Sequence, residues 1–158
     1  MKYFILLALF LIISSCGVEQ QQNVQLVQSH CSAQNGLPDL RCTPGSIFPN
    51  VTTAQICTPG YTQSVRNVPQ SEKDQVYAEY NITTHTPGQY EVDHLISLEI
   101  GGSNDIKNLW PELYAGPYNA HIKDQIENFL HAQVCSGKMP LKEAQTEIAT
   151  NWKSIVIH

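Results

Sequence analysis

Apolar and polar positions along this chain change rhythm several times, and each rhythm predicts a different element. Lys2 is followed by an unbroken apolar run over residues 3–13, which Ser14, Ser15 and Cys16 close. A glutamine-rich stretch without aromatic residues follows, to about residue 29. From 37 to 69 Pro, Gly, Thr and Asn crowd the chain, and only short apolar pieces at 56–57 and 61–68 read as strands. Ser71 with Asp74 three residues on offers a helix start. Val76, Tyr77 and Tyr80 then recur at helical spacing, predicting a short helix to about residue 80. Residues 91–100 read as a strand interrupted by Asp93, His94, Ser97 and Glu99, with a loop over 101–107 and a second short strand near 108–110. Gly116-Pro117 announces a long helix over 118–135, closed by Ser136-Gly137. Its Ile122, Ile126, Phe129, Leu130 and Val134 form one apolar stripe. A last helix over 141–152 places Leu141, Ala144, Ile148 and Trp152 on one side.

The opening run is too short to span a bilayer comfortably. It has the charged start, apolar middle and small-residue exit of an export signal. Ile13-Ser14-Ser15-Cys16 resembles a bacterial lipobox, which implies that residues 1–15 are a lipoprotein signal, that Cys16 is lipidated, and that the membrane is reached through that lipid. Gly17 then implies an outer-membrane destination, and cleavage without lipidation would give a secreted protein. Residues 16–30 read as a flexible tether, leaving 31–158 as one folded domain. Export favours disulfides among Cys31, Cys42, Cys57 and Cys135. Four thiols allow three pairings. Because Cys42 and Cys57 each open a Cys-Thr-Pro-Gly tetrad, Cys42–Cys57 is the expected pair, leaving Cys31–Cys135. No two of these cysteines have zinc-knuckle spacing.

Charge narrows the function further. The chain of 158 residues carries a net charge of −5. Loss of residues 1–15 removes Lys2 and no acid, leaving eight basic against fourteen acidic residues and a net −6. That excludes coating nucleic acid through bulk positive charge. It leaves room for an enzyme that meets phosphate through a metal and a few local cations.

The chemistry concentrates in residues 90–112, YEVDHLISLEIGGSNDIKNLWPE. Asp93 and His94 are adjacent, and adjacent side chains on a strand face opposite ways. The pair must therefore sit where the strand twists or ends, which Gly101-Gly102 allows. A carboxylate can hold a divalent cation while the neighbouring imidazole takes a proton from water. Asn108, Trp110-Pro111, Asn119 and Lys123 follow.

From Asp93 through Lys123 this order resembles an HNH endonuclease, the ββα-metal nuclease motif. The longer run from Cys42-Thr-Pro-Gly through Tyr61 and Asn108-Leu-Trp-Pro to the C-terminal helix resembles a group of exported bacterial HNH-type proteins. The resemblance implies an α+β fold: a small ββα-metal core over 90–135, flanking helices and a disulfide-stapled, loop-rich N-terminal part. It also implies a low-specificity endonuclease cutting DNA, or RNA, with one divalent ion, Mg2+ ahead of Mn2+. The chain is assumed to be monomeric. His94 would be the general base, Asn108 would hold the loop that aims it, and Asp93 would be a metal ligand.

For the second ligand the resemblance leaves Asn119 and His121. At about 100° per residue, with Ile122 as zero, the stripe centres near ~40°, Asn119 falls at ~60°, Lys123 at ~100° and His121 at ~260°. That favours Asn119 as ligand and Lys123 as a phosphate contact, with His121 as the alternative. Duller uses exist for both: Asn119 suits a helix N-cap, and Lys123 suits a pair with Glu127 four residues on. His30, His85, His131 and His158 read as solvated surface, and Trp110 and Trp152 as core. Ser97 stands where HNH proteins often have Pro, and the zinc-knuckle cysteines of many HNH domains are missing. A rival class is a catalytically silent envelope protein that binds a protein or glycan partner.

Overall fold

Two antiparallel strands carry the Asp93-His94 pair: β1 (Tyr90–His94) and β2 (Leu109–Leu113), with Asp93 opposite Trp110 and His94 opposite Leu109. The computed structural model describes residues 30–157. The expected signal over 1–15, the expected lipidation site Cys16 and nearly all of the expected tether lie outside the described residues.

The strand expected through residue 100 stops at His94. Beyond it burial is continuous, with Leu95, Ile96, Ser97 and Leu98 all buried. Ser97 starts a 3₁₀ turn, Leu98–Ile100, its hydroxyl accepting the Glu99 N–H at 3.2 Å. Gly101, at φ +83°, ends that turn, and Gly102 passes so close to the backbone of Ile96 that a Cβ would sit 1.7 Å from its carbonyl oxygen. Only glycine fits this crossing. A second 3₁₀ turn, Ile106–Asn108, is capped by Asp105 and delays β2 to Leu109.

Five helices surround the sheet among the described residues. The first two, α1 (Thr53–Ile56) and α2 (Tyr61–Val65), stand where strands were expected at 56–57 and 61–68. Thr52 and Gln55 form a reciprocal capping box that starts α1. In α2 the half-buried positions Tyr61 and Val65 are four apart, a helical period rather than a strand's. The third helix, α3 (Gln70–Glu79), begins after Pro69 rather than at Ser71. The long helix α4 (Ala120–Cys135) is capped by Asn119, and α5 (Leu141–Asn151) runs into a 3₁₀ turn, Trp152–Ser154.

Two apolar clusters fill the interior. One joins Ile96 and Ile100 to Ile126 and Leu130 of α4 and Ile148 of α5. The other joins Leu95, Leu109 and Trp110 to Val76 and Tyr80. The segment just after His94 straddles both, since Leu95 enters one and Ile96 the other. Burial on both sides pins the end of β1, and with it the site.

The disulfides are Cys31–Cys42 and Cys57–Cys135, not the expected Cys42–Cys57 and Cys31–Cys135. The two Cys-Thr-Pro-Gly tetrads share turn chemistry but lie on different elements. Cys42 packs beside the Trp110 cluster, where the neighbouring Thr43 hydroxyl donates to the Leu109 carbonyl at 2.9 Å. Cys57 ends α1 against α4. The result is a small, disulfide-bonded α+β fold with one two-stranded sheet among the described residues. No helix among them is long and apolar enough to cross a membrane.

Candidate functional site

The inward face of α4 carries Ala120, Lys123, Glu127, Leu130 and Val134 at alternating steps of three and four. This is the core stripe of a helix, yet two of its members are charged. Lys123 is 0% exposed and its ammonium is held by acids from three elements. Nζ donates to Asp93 Oδ2 at 2.6 Å and to the His94 carbonyl at 2.7 Å. It also donates to Glu127 Oε1 and lies 3.9 Å from Glu112 Oε2. The expected phosphate contact is thus a buried cation facing carboxylates. Its stem fills core space, and its charge stays because partners surround it.

Those partners titrate differently. Burial pushes the Asp93 carboxyl up, but the Lys123 charge outweighs it and holds the group below its usual value. Glu112 is fully buried, no donor reaches either of its oxygens, and burial pushes it up to about 10. Protonated, it can donate to the Asp93 carboxylate. Glu127 is pushed up to about 7, again chiefly by burial. Lys123 is itself raised well above its usual range, because the three acids overcome its desolvation.

His94 ends β1 with only 2% of its surface exposed. Its Nε2 lies 3.2 Å from Asn104 Oδ1. The orientation of that amide follows from its other bonds: Nδ2 donates to the Val65 carbonyl at 2.7 Å, and Oδ1 accepts the Asn67 N–H at 3.2 Å. The oxygen therefore faces the ring, so Nε2 carries the proton and Nδ1 keeps a lone pair. Burial lowers the His94 pKa, against the opposing pull of Asp93, so the ring is neutral near pH 7.

Asn108 is fully buried and bonds the loop on both sides. Nδ2 donates to the carbonyls of Ile96 and Ser103 at 2.9 Å each, and Oδ1 accepts the Ile96 N–H at 2.9 Å. Its own carbonyl accepts the Leu95 N–H at 2.7 Å. The backbone just after His94 is thereby fixed by one residue, through its side chain and its carbonyl together.

Asn119 and His121 are placed otherwise. Asn119 Oδ1 accepts the Ile122 N–H at 3.2 Å and Nδ2 donates to the Gly116 carbonyl at 2.7 Å, so the side chain is occupied as a helix cap. His121 is exposed and lies against the Tyr114 ring, centroids 5.6 Å apart.

Several members of the site were not picked out in the sequence. Asn104 has no signal beyond its place in the Gly-Gly-Ser-Asn turn. Glu112 carries no signal of its own in the sequence, and Glu127 reads only as the partner of Lys123 in an exposed i, i+4 pair. Arg66 is exposed, its charge reaches His94, and it lines an open cavity of about 660 Å³ with Tyr61 and Glu99. His131, read as solvated, lies beside the Cys57–Cys135 bridge. Cys57, His131 and Cys135 form a group that could hold a metal ion.

Compared with known proteins, the chain matches no family model, no curated protein and no solved structure.

Proposed function

We propose that the chain is an HNH-type endonuclease that hydrolyses nucleic-acid phosphodiesters with little sequence preference, its β1, β2 and α4 forming a ββα-metal core. The observation that carries this reading is the His94 ring, its Nε2 facing Asn104 Oδ1 at 3.2 Å so that Nδ1 keeps its lone pair, with the charge of the preceding Asp93 reaching it. A ring in that tautomer takes a proton from water, which then attacks phosphorus. Asp93 stabilises the imidazolium that results. Asn108 holds the loop, and the exposed Arg66 is the cation available to phosphate oxygens.

The donor chemistry suits magnesium, which keeps several waters and needs only one or two protein carboxylates beside substrate phosphate. Asp93, with 17% of its side chain exposed, offers the hard oxygen, and Asn119 could join only by leaving its cap. The ion when bound would neutralise charge developing on the phosphate. The lipobox-like Cys16 would tether the enzyme in the bacterial envelope, where DNA or RNA is the substrate.

A second reading, a silent binding protein, draws on the near-complete burial of His94 and the neutralisation of Asp93 by Lys123. Incubation with plasmid, RNA and single-stranded DNA separates the two. The nuclease cuts at least one of them with Mg2+ or Mn2+ and stops with chelator. No cleavage of any substrate with any divalent ion supports the binding protein.

A further inference from the structure

The Cys57–Cys135 bridge differs from its sister in what surrounds it. Cys31 is almost fully buried in the Trp110 cluster, whereas Cys135 is exposed at the end of α4. One turn earlier on the same face, His131 places Nε2 3.3 Å from Cys135 Sγ and 3.1 Å from the Ile56 carbonyl. The two sulfurs and this nitrogen all lie within 4.8 Å of one another. In a tetrahedral zinc site with Zn–S bonds near 2.3 Å, neighbouring ligand atoms stand roughly 3.5–3.8 Å apart. The imidazole, 3.3 Å from the Cys135 sulfur, is just short of that range, so the two sulfurs need to part and the ring to shift slightly. Cys57 and His131 also line the open cavity that reaches Arg66 and Glu99. Glu99 Oε2 there is buried without a hydrogen-bond partner among the described residues, which suits an acceptor for a metal-bound water.

We infer that Cys57, Cys135 and His131 form a redox-gated zinc site, closed as a disulfide when oxidised and open to one Zn2+ when reduced. The electrons come from a dithiol donor. The donor's thiolate attacks the exposed Cys135 sulfur and the S–S bond breaks. The donor leaves as its own disulfide, and its two thiol protons end on Cys57 and Cys135. Zinc displaces both protons from the sulfurs, and the imidazole binds through Nε2 with its proton on Nδ1. Three protein ligands leave a fourth position on the cavity side, the pattern of zinc sites that keep water or a substrate. This site is separate from Asp93 and His94 and does not depend on the nuclease reading.

The test is zinc titration of the full chain before and after reduction by a phosphine, which does not compete for the ion. One more equivalent should bind after reduction than before, and substitution by Co2+ should give a thiolate-to-cobalt charge-transfer band only in the reduced chain. Cys31→Ser with Cys42→Ser should leave that stoichiometry intact. His131→Ala, which spares the disulfide, should weaken zinc about tenfold or more. Equal uptake by oxidised and reduced protein, or an unchanged affinity in His131→Ala, overturns the inference. So does a reduced chain whose helical circular dichroism collapses and is not restored by zinc.

Discussion

Lys123 Nζ lies 2.6 Å from Asp93 Oδ2, joining the first turn of the core helix to the residue before the end of β1. The pair sets both the stability and the electrostatics of the site. Exchange of Lys123 for an apolar residue of similar length leaves Asp93 and Glu127 without their cation. Removing one partner of a buried pair costs about 3–5 kcal/mol. Lys123→Met should lower the urea unfolding free energy by that amount at pH 7, and adding Asp93→Asn should recover part of it. A Lys123→Met protein as stable as the parent would mean that the ammonium is solvated.

Glu112 gives stability a definite slope with pH. Its carboxyl is pushed up from 4.5 to about 10 in the fold, so above pH 5 the native chain holds a proton that the unfolded chain releases. Stability therefore falls as pH rises from about 5 towards about 10. Glu127, pushed up to about 7, adds to the lower half of that window. Asp93 acts oppositely, with stability lost only as pH drops below the usual carboxylate range. Lys123 contributes loss only in strong alkali. Melting temperatures at pH 5.5, 7 and 8.5 should decline in the parent and flatten in Glu112→Gln. An unchanged slope in Glu112→Gln would place the proton elsewhere.

On the proposed nuclease reading, Asn104 positions His94 rather than contacting phosphate. Asn104→Ala frees the ring to turn and to change tautomer, so kcat should fall about tenfold or more while KM stays within twofold. The same substitution leaves the Val65 carbonyl without its donor. Unfolding should therefore be measured alongside, to separate misaiming from loss of fold. A variant with parental kcat would remove Asn104 from the positioning of the ring.

Local signals were legible where one short-range cause decides the outcome. The opposite facing of neighbours on a strand required the Asp93-His94 pair to sit at a strand's end, and His94 is the last residue of β1. Of the stripe expected on α4, Ile126, Leu130 and Val134 are buried as the period implies, but Ile122 is exposed and Phe129 only half-buried; the outward turn of His121 was readable. What depends on distant partners was not. Residues 56–57 and 61–68 are apolar enough for strands, but a capping box and a four-residue spacing make them helical. The tetrads at Cys42 and Cys57 look alike in sequence and meet different partners in space. Lys123 and Glu127 carry the spacing of a surface pair. Their burial follows from Glu112 and Asp93 arriving from the sheet, which no window along α4 contains.

The central claim is that His94 is the base of a phosphodiester hydrolase, and plasmid cleavage by His94→Ala tests it most directly. With Mg2+ present and the circular dichroism unchanged, the variant should nick supercoiled DNA about 10²–10⁴-fold more slowly than the parent. A folded His94→Ala protein that cuts at the parental rate, or a parent that never cuts, contradicts it.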